Sequence, residues 1–184
     1  MGCKHHQNGY AWAHTHGDRR MSKIFVDELA GIANANTVTI PGHVIQVAQG
    51  TYATETDSNN SSFTDTGLTA SITPSSASSK ILISVTAPGC GKPGGNTGAY
   101  ASYRVVSVIG GTTTEVIIAA PQQGYTGTSE HDFGVVSINY LHSPSTTSLI
   151  QYKLQNRTGG SGTTRFLADD HSGNQPTGTI TLME

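Results

Sequence analysis

The side chains best suited to chemistry in this sequence are four histidines and a cysteine near its start. His14 and His16 form a His-x-His pair that can chelate a metal ion, and Cys3, His5 and His6 supply further ligand types. No second set of ligands at a defined spacing accompanies them, and histidine-rich leaders are common in engineered chains. We therefore predict neither a metal site nor a cofactor.

Three other groups have residue types found in active or binding sites. Ser129 and Glu130-His131-Asp132 have the types of a hydrolase triad, but neighbours on an extended chain point apart. Asp169-Asp170-His171 offers Ca²⁺ two carboxylates, which favours a solvated loop over a site. Gly91-Lys92-Pro93 lacks the Ser or Thr and the helix of a phosphate-binding loop. The sequence therefore predicts no enzymatic activity.

Tyrosine rings offer a different chemistry, because an exposed aromatic ring can stack on a sugar. Tyr103, Tyr140 and Tyr152 lie inside alternating segments, which favours the core or a subunit contact. Tyr125 lies between Gly124 and Gly127 and is the best candidate for an exposed ring. We predict Tyr125 as the contact residue if the protein binds a glycan.

Composition narrows the function classes further. Hydrophobic residues make up 35% of the chain and charged residues 12%, and the formal net charge is −2. This balance argues against a nucleic-acid-binding protein with a broad basic surface. The chain has no apolar run of about 18 residues and its first residues contain no apolar segment of the secretory type, so we expect neither a membrane span nor a secretory signal. Cys3 and Cys90 make no disulfide framework, and Cys90 is predicted as a free thiol in a loop.

From His43 onward, apolar and polar residues alternate between closely spaced turn residues, which predicts an antiparallel all-β domain. We place strands near 43–49, 62–65, 67–73, 80–87, 98–109, 114–120, 132–142, 147–156, 163–168 and 178–183. Gly110-Gly111 predicts a tight hairpin, and Ser143-Pro144-Ser145 and residues 159–162 predict two further turns. The predicted fold is a jelly-roll-like β-sandwich, with a Greek-key sandwich of immunoglobulin type as the alternative.

The same alternation predicts the core and the outer faces. The predicted core residues are Phe63, Leu68, Ile72, Ile81, Ile83 and Val85, faced by Val135, Ile138, Leu149 and Leu154. The alternate positions carry mostly Thr, Ser, Asn and Gln, which are too polar for a second core and too poor in charge to favour isolation in water. We therefore predict a three-fold assembly with strand Thr179–Met183 near the subunit contact.

Residues 1–42 are predicted as an extended N-terminal arm and linker, followed by a β-sandwich domain at 43–184. Residues 1–20 hold half of the histidines and the only Trp. They are either an arm that reaches across a neighbouring subunit, or a leader or upstream extension with natural translation starting at Met21. The apolar residues of this arm predicted to be buried at contacts with a partner protein or a neighbouring subunit are Ile24, Phe25, Val26 and Ile40.

Three segments carry a resemblance to a known group of proteins. They are PGHVIQVAQ at 41–49, FTDTGLTASITPSSASSKILISV at 63–85 and TGTITLME at 177–184. The sequences of these segments resemble a module of structural proteins in tailed bacteriophages, especially phages of cyanobacteria and other aquatic bacteria. Some related modules resemble distal domains of tail or head fibres that bind host surfaces. Others look like small cement or decoration proteins on the outside of the capsid, and both kinds are commonly homotrimers.

The resemblance implies a virion structural protein, not an enzyme. The favoured role is a capsid cement or decoration protein that stabilises the head shell, with the major capsid protein and its own copies as partners. The alternative is a fibre-tip or head-fibre module that binds host-surface polysaccharide. The short single-module chain, with no long fibre shaft before the domain, favours the decoration role. The implied location is the virion, on the capsid surface or alternatively on a fibre, without nucleic-acid or membrane partners.

Overall fold

The structure, a computed structural model, describes residues 43–169 and 173–184. All regular structure in these residues is β-strand, and none of their segments is a helix long and apolar enough to cross a membrane. The strands are β1 (Val47–Tyr52), β2 (Thr56–Ser58), β3 (Thr64–Ile72), β4 (Ile81–Lys92), β5 (Tyr100–Ile109), β6 (Thr112–Gln123), β7 (His131–His142), β8 (Ile150–Gly159), β9 (Thr164–Phe166) and β10 (Gly178–Met183).

The strands form two antiparallel sheets that pack face to face. Sheet A contains β1, β10, β4, β9, β2 and β7, and sheet B has the order β3-β8-β5-β6. In sheet A, β4 pairs with β7 along one side. On its other side it pairs with β10 through Leu82–Thr86 and with β9 at Gly91. Because β1 pairs with β10 and β2 with β9, the strands β10 and β9 share the position next to β4, and β1 and β2 share the edge position beyond them.

This strand order is that of a jelly roll. If β1 and β2 are counted as one position and β10 and β9 as another, the order of sheet A is β1/β2, β10/β9, β4, β7. The order of sheet B is β3-β8-β5-β6. Most connections therefore pass from one sheet to the other, as they do in a double-sheet jelly roll. The sequence prediction of an antiparallel, jelly-roll-like sandwich is confirmed.

The predicted hairpin at Gly110-Gly111 is confirmed and is the connection that stays within sheet B. Both glycines have positive φ, 56° and 86°, and Ile109 pairs with Thr112 on either side of them. Positive φ at both central residues is the type I′ geometry that suits the twist of hairpin strands. The predicted turns after β7 and β8 instead carry the chain between the two sheets.

Several strand boundaries differ from the prediction, including those of the first strand, placed at 43–49 and found at Val47–Tyr52, and of β6, placed at 114–120 and found at Thr112–Gln123. The segments placed at 62–65 and 67–73 are one strand, β3, whose register shifts between Asp65 and Thr69. Gly67 lies within that shift with a φ of 96°, so the apparent break is a β-bulge. The short polar strand β2 was not predicted. β4 continues to Lys92, so Cys90 is a buried strand residue and the prediction of a loop thiol is wrong.

The core lies between the sheets and largely matches the alternation in the sequence. The predicted residues found buried are Leu68, Ile72, Ile81, Ile83, Val85, Ile138 and Leu154. Val135 and Leu149 are exposed, because their neighbours Val136 and Ile150 take the inward positions of β7 and β8. Phe63 is only partly buried, and the guanidinium groups of Arg104 and Arg157 lie over its ring. The distances from the guanidinium carbons to the ring centroid are 4.2 Å and 4.9 Å. Those three core predictions are wrong.

The two sheets come close together where β1 meets β3. A Cβ placed on Gly50 would lie 1.7 Å from the carbonyl oxygen of Thr69 and 3.3 Å from Cα of Ala70. No φ in the left-handed region is involved, so the requirement for glycine at Gly50 is one of space alone. This contact closes the sandwich along the outer edge of sheet A.

Candidate functional site

The apolar residues predicted at capsid or subunit contacts lie outside the described residues. Ile24, Phe25, Val26 and Ile40 belong to residues 1–42, as do the metal-ligand candidates at the start of the chain. Their roles stay predictions. The described domain offers two candidate surfaces, a cluster of loops around Tyr125 and the outer face of sheet A.

Tyr125 is strongly exposed, as predicted, and is supported by a second tyrosine. Its side chain is 68% exposed, and its ring meets that of Tyr100 edge to face, with the ring centroids 6.2 Å apart. A Cβ on Gly159 would lie 2.1 Å from the Tyr100 ring, so Gly159 makes room for this ring. The two rings form an aromatic surface at one end of the sandwich.

Asn96 ties together the three loops around this aromatic surface. Its backbone N–H donates to the carbonyl oxygen of Ser129 (3.0 Å), and its Oδ1 accepts from the backbone N–H of Thr163 (2.7 Å). Its amide nitrogen donates to the carbonyl oxygens of Pro93 and Gly94. The connections after β4, β6 and β8 are thus held in one arrangement, although they are far apart in sequence.

Of the groups with the residue types of an active site, Ser129, Lys92 and Asp169 make structural contacts, whereas the side chains of His131 and Asp132 and residues Asp170 and His171 lie outside what the structure describes. The Ser129 hydroxyl accepts a hydrogen bond from the backbone N–H of Gly95 (2.6 Å), and Lys92 is buried with its Nζ donating to the Thr97 carbonyl oxygen (3.1 Å). Asp169 donates its backbone N–H to Oε2 of Glu55 (3.0 Å). Across residues 43–169 and 173–184, no three His, Cys, Asp or Glu side chains come together to hold a metal ion.

Two hydrogen bonds have structural roles, one made by the buried Cys90 thiol and one between His142 and Tyr152. Burial raises the pKa of the Cys90 thiol, which donates to the Ala87 carbonyl oxygen (3.4 Å), so the thiol stays protonated and unreactive. His142 Nδ1 lies 2.7 Å from the Tyr152 hydroxyl, which joins β7 of sheet A to β8 of sheet B. Burial lowers the pKa of His142, so the imidazole is neutral near pH 7.

The outer face of sheet B is a network of charged and amide side chains. Lys153 Nζ and Gln155 Nε2 donate to the two carboxylate oxygens of Asp65 at 2.8 and 2.7 Å. Arg104 then donates to Gln155 (2.8 Å) and Glu115 (2.9 Å), so the network crosses all four strands. Partial burial opposes ionisation of Asp65, but hydrogen bonds from Lys153 and Gln155 and the charge of Lys153 hold its pKa below the ordinary value. Such a face is well solvated.

Four strands of sheet A carry an outer surface of a different character, which we call the sheet A face. It does not include β2 and β9, where Arg165 forms ion pairs with Asp57 and Glu55. It consists of three cross-strand rows on β1, β10, β4 and β7, and none of their residues is charged. The rows are Val47–Met183–Leu82–Leu141, Gln49–Thr181–Ser84–Asn139 and Thr51–Thr179–Thr86–Ser137. Because directly paired residues point to the same side of a sheet, each row is continuous. The first, which we call the apolar row, is wholly hydrophobic.

The apolar row is exposed in the described domain. Val47 is 61% exposed, Leu82 37% and Leu141 52%. A charge-free surface with an apolar stripe is typical of the centre of a protein interface, where charged residues are depleted. Sequence reasoning did not find this row, because its members lie on four strands far apart along the chain. The signal was an apolar residue at the outward position of each strand.

Glu184 fastens the end of this sheet next to the apolar row. Its carboxylate accepts hydrogen bonds from the Ser75 backbone N–H (2.9 Å), from the Ser75 and Ser79 hydroxyls, and from the Gln46 amide, which also donates to the Thr73 carbonyl oxygen. Partial burial opposes ionisation of Glu184. The hydrogen bonds from Ser75, Ser79 and Gln46 outweigh it and lower the pKa from 4.5 to about 2.

We expect Glu184→Gln to lower the free energy of unfolding by about 1 kcal/mol at pH 7, a value reduced for the partial exposure of the carboxylate. Because the folded-state pKa is depressed, this stabilisation is complete above pH 4.5 and is lost as the pH falls through about 2. Urea unfolding of both proteins at neutral and acid pH measures the difference. Glu130→Gln, at an exposed carboxylate, is the matched control. A Glu184→Gln effect that persists undiminished near pH 2 would contradict this assignment.

The sequence matches no protein-family profile and no curated protein. Among solved structures, a chain of infectious bursal disease virus strain Gt is similar over 89% of this chain and 37% of the viral chain, with 14% identity and a TM-score of 0.51. A chain of the infectious bursal disease virus VP2 subviral particle covers the same shares, with 18% identity and a TM-score of 0.47. This chain thus spans little more than a third of those viral chains. The likeness to the Gt strain is one of fold.

Proposed function

We propose that this protein is a structural component of a virion and that it acts without enzymatic chemistry. The observation that carries the proposal is the unlike pair of outer faces on a jelly-roll sandwich. Sheet B presents a network of charges to solvent, whereas the sheet A face is free of charge and bears the apolar row. Such a face suits contact with another protein. The fold shared with a chain of infectious bursal disease virus and the resemblance to phage virion modules support the same role.

Within that role, we propose a capsid cement or decoration protein, a homotrimer anchored by the arm at residues 1–42 to the major capsid protein or to a neighbouring subunit. β10 is an inner strand of sheet A, so it reaches a neighbour through the outward side chains of Thr179, Thr181 and Met183. These three residues lie on the sheet A face. A closed three-fold assembly covers such a surface on every copy.

Deletion of residues 1–40 should leave a folded trimer that no longer binds shells, because it removes Ile24, Phe25, Val26 and Ile40. Deletion of residues 1–20 alone is the matched control and should preserve binding, since those four residues remain. Light scattering measures the oligomer, with about three times the 19.2 kDa chain mass expected for the full chain. Shell occupancy is measured by co-sedimentation. Full occupancy by the protein lacking residues 1–40 would reject the anchoring role, and a clean monomer would reject the trimer.

The aromatic surface favours a second candidate, a fibre-tip or head-fibre module that binds host-surface polysaccharide. Tyr125 and Tyr100 lie together on a loop cluster whose arrangement is fixed by Asn96. Labelled protein mixed with host cells should then bind saturably, and Tyr125→Ala should weaken binding about tenfold, the effect of losing one stacking contact of 1–2 kcal/mol. Tyr125→Phe keeps the ring and should bind nearly as well. Absence of saturable binding would leave the decoration role as the sole candidate.

A further inference from the structure

One guanidinium group on the outer face of sheet B has no acidic partner in the part of the chain that the structure describes. Two other basic side chains on this face are paired, Arg104 with Glu115 at 2.9 Å and Lys153 with Asp65 at 2.8 Å. Arg157 is exposed on the same face, and no described carboxylate lies within ion-pair distance of it. The positive charge of this face that is not neutralised is therefore located at Arg157.

The pairing of β5 with β8 places Arg157 on the same side of the sheet as Tyr100. Tyr100 pairs with Gly159, and Ser102 pairs with Arg157, in continuous register. Because paired residues point to the same side and sides alternate along a strand, Tyr100 and Arg157 lie in adjacent outward rows, about 7 Å apart. A Cβ on Gly159 would lie 2.1 Å from the Tyr100 ring. The ring therefore lies over β8, the strand that carries Arg157.

Phe63 restricts the position of the Arg157 guanidinium. The guanidinium carbon lies 4.9 Å from the centroid of the Phe63 ring, within the range of a cation–π attraction. Because this attraction is to the face of a ring and not to a hydrogen-bond acceptor, the N–H groups of Arg157 stay available to a ligand. A side chain that is already restricted also loses less entropy when it binds. Arg157 is thus prepared to bind an anion next to the aromatic surface.

We propose that the aromatic surface and Arg157 together bind an acidic sugar, whose ring lies on Tyr100 and Tyr125 and whose carboxylate pairs with the Arg157 guanidinium. A planar guanidinium matches a carboxylate through two parallel N–H···O hydrogen bonds. The two tyrosine rings, 6.2 Å apart and edge to face, offer apolar area to the sugar ring. This inference rests on the second candidate function and specifies its polysaccharide as one that contains uronic acids.

The test compares two oligosaccharides that differ only in charge. One is oligogalacturonate, and the other is the same oligosaccharide after chemical reduction of its carboxylates to primary alcohols. Isothermal titration calorimetry measures the binding of each to the full chain at two salt concentrations. We expect oligogalacturonate to bind about tenfold more tightly than the reduced form, the effect of one charge-assisted contact. Its affinity should fall as the salt concentration rises, because attraction between exposed charges is screened.

Variants of two basic residues locate the contact. Arg157→Gln should weaken the binding of oligogalacturonate about tenfold and leave that of the reduced oligosaccharide unchanged. Arg157→Lys keeps the charge but loses the planar pair of donors, so its affinity should be intermediate. Lys153→Gln is the matched control, because it removes the same charge from the same face at a residue already paired with Asp65. It should weaken binding by about twofold or less.

Three outcomes overturn the inference. Equal affinity for the two oligosaccharides would mean that the aromatic surface binds neutral sugars, and the second candidate function would then stand without this inference. Equal losses from Arg157→Gln and Lys153→Gln would mean that diffuse attraction, and not a contact at Arg157, holds the acid. If neither oligosaccharide binds, the inference fails, and saturable binding to host cells decides separately whether the protein binds another polysaccharide. The decoration role, which is measured by shell occupancy, is independent of all three.

Discussion

Replacement of Ile83 by alanine is expected to lower the free energy of unfolding by about 3–4 kcal/mol. Ile83 is fully buried in β4, where it lies between Leu182 of β10 and Tyr140 of β7. Alanine removes its buried methyl and methylene groups, and the sheets on either side close only partly over the resulting cavity. Urea unfolding followed by circular dichroism measures the change.

Leu82→Ala is the matched control for Ile83→Ala. Leu82 is the next residue along the same strand, but its side chain points outward into the apolar row. We expect it to cost about 1 kcal/mol or less, because its side chain keeps part of its contact with water in the folded protein. Equal losses at the two positions would contradict the assignment of inner and outer faces in β4.

Gly50→Ala is expected to destabilise the protein by about 3 kcal/mol, at the upper end of overpacking effects. The added methyl group would overlap the Thr69 carbonyl oxygen, which belongs to the backbone of β3 and cannot rotate away. β1 must then move off sheet B, which opens the sandwich along one edge. Thermal unfolding measures the loss of stability, and hydrogen exchange in β1 and β3 shows which part of the sandwich opens.

Gly94→Ala supplies the comparison for Gly50→Ala. A Cβ on Gly94 would meet Oε2 of Glu130 at 3.9 Å, an ordinary contact. The substitution should therefore change stability by about 0.5 kcal/mol or less, and it reduces the entropy of the unfolded chain. If Gly50→Ala is as mild as Gly94→Ala, the close approach of β1 to β3 is not required for folding.

Much of the fold is predictable from the sequence, because inward and outward positions alternate along most of the strands. Ile81, Ile83 and Val85 illustrate this, since they occupy every second position at the start of β4 and all three are buried. The failures have local causes. β2 is a polar strand of three residues, Thr56–Ser58, with no apolar alternation to identify it. At Gly67 the bulge adds two residues to β3 relative to β8 without ending the strand, so the apparent break there is not a turn.

The candidate surfaces are less predictable than the core. Tyr125 is identifiable as exposed, since it lies between glycines outside any alternating segment. The apolar row depends on the register of three strand pairs, which brings Val47, Leu82, Leu141 and Met183 into one line. A register shift of one residue in any pair would break this line. Local pattern does not specify register between strands that are distant along the chain, so the row requires the three-dimensional structure.

The antiparallel pairing of β1 with β10 also makes the domain mechanically anisotropic. Residues 43 and 184 lie at the same end of this pair, where Ile45 donates to Glu184. A force that separates these two residues breaks the pairs one after another, starting with the hydrogen bonds of the Glu184 carboxylate. A force along β1, applied through the preceding segment against a held sheet, loads all six residue pairs in shear at once. The domain therefore resists sliding of β1 along the sheet much more strongly than it resists peeling at residue 184.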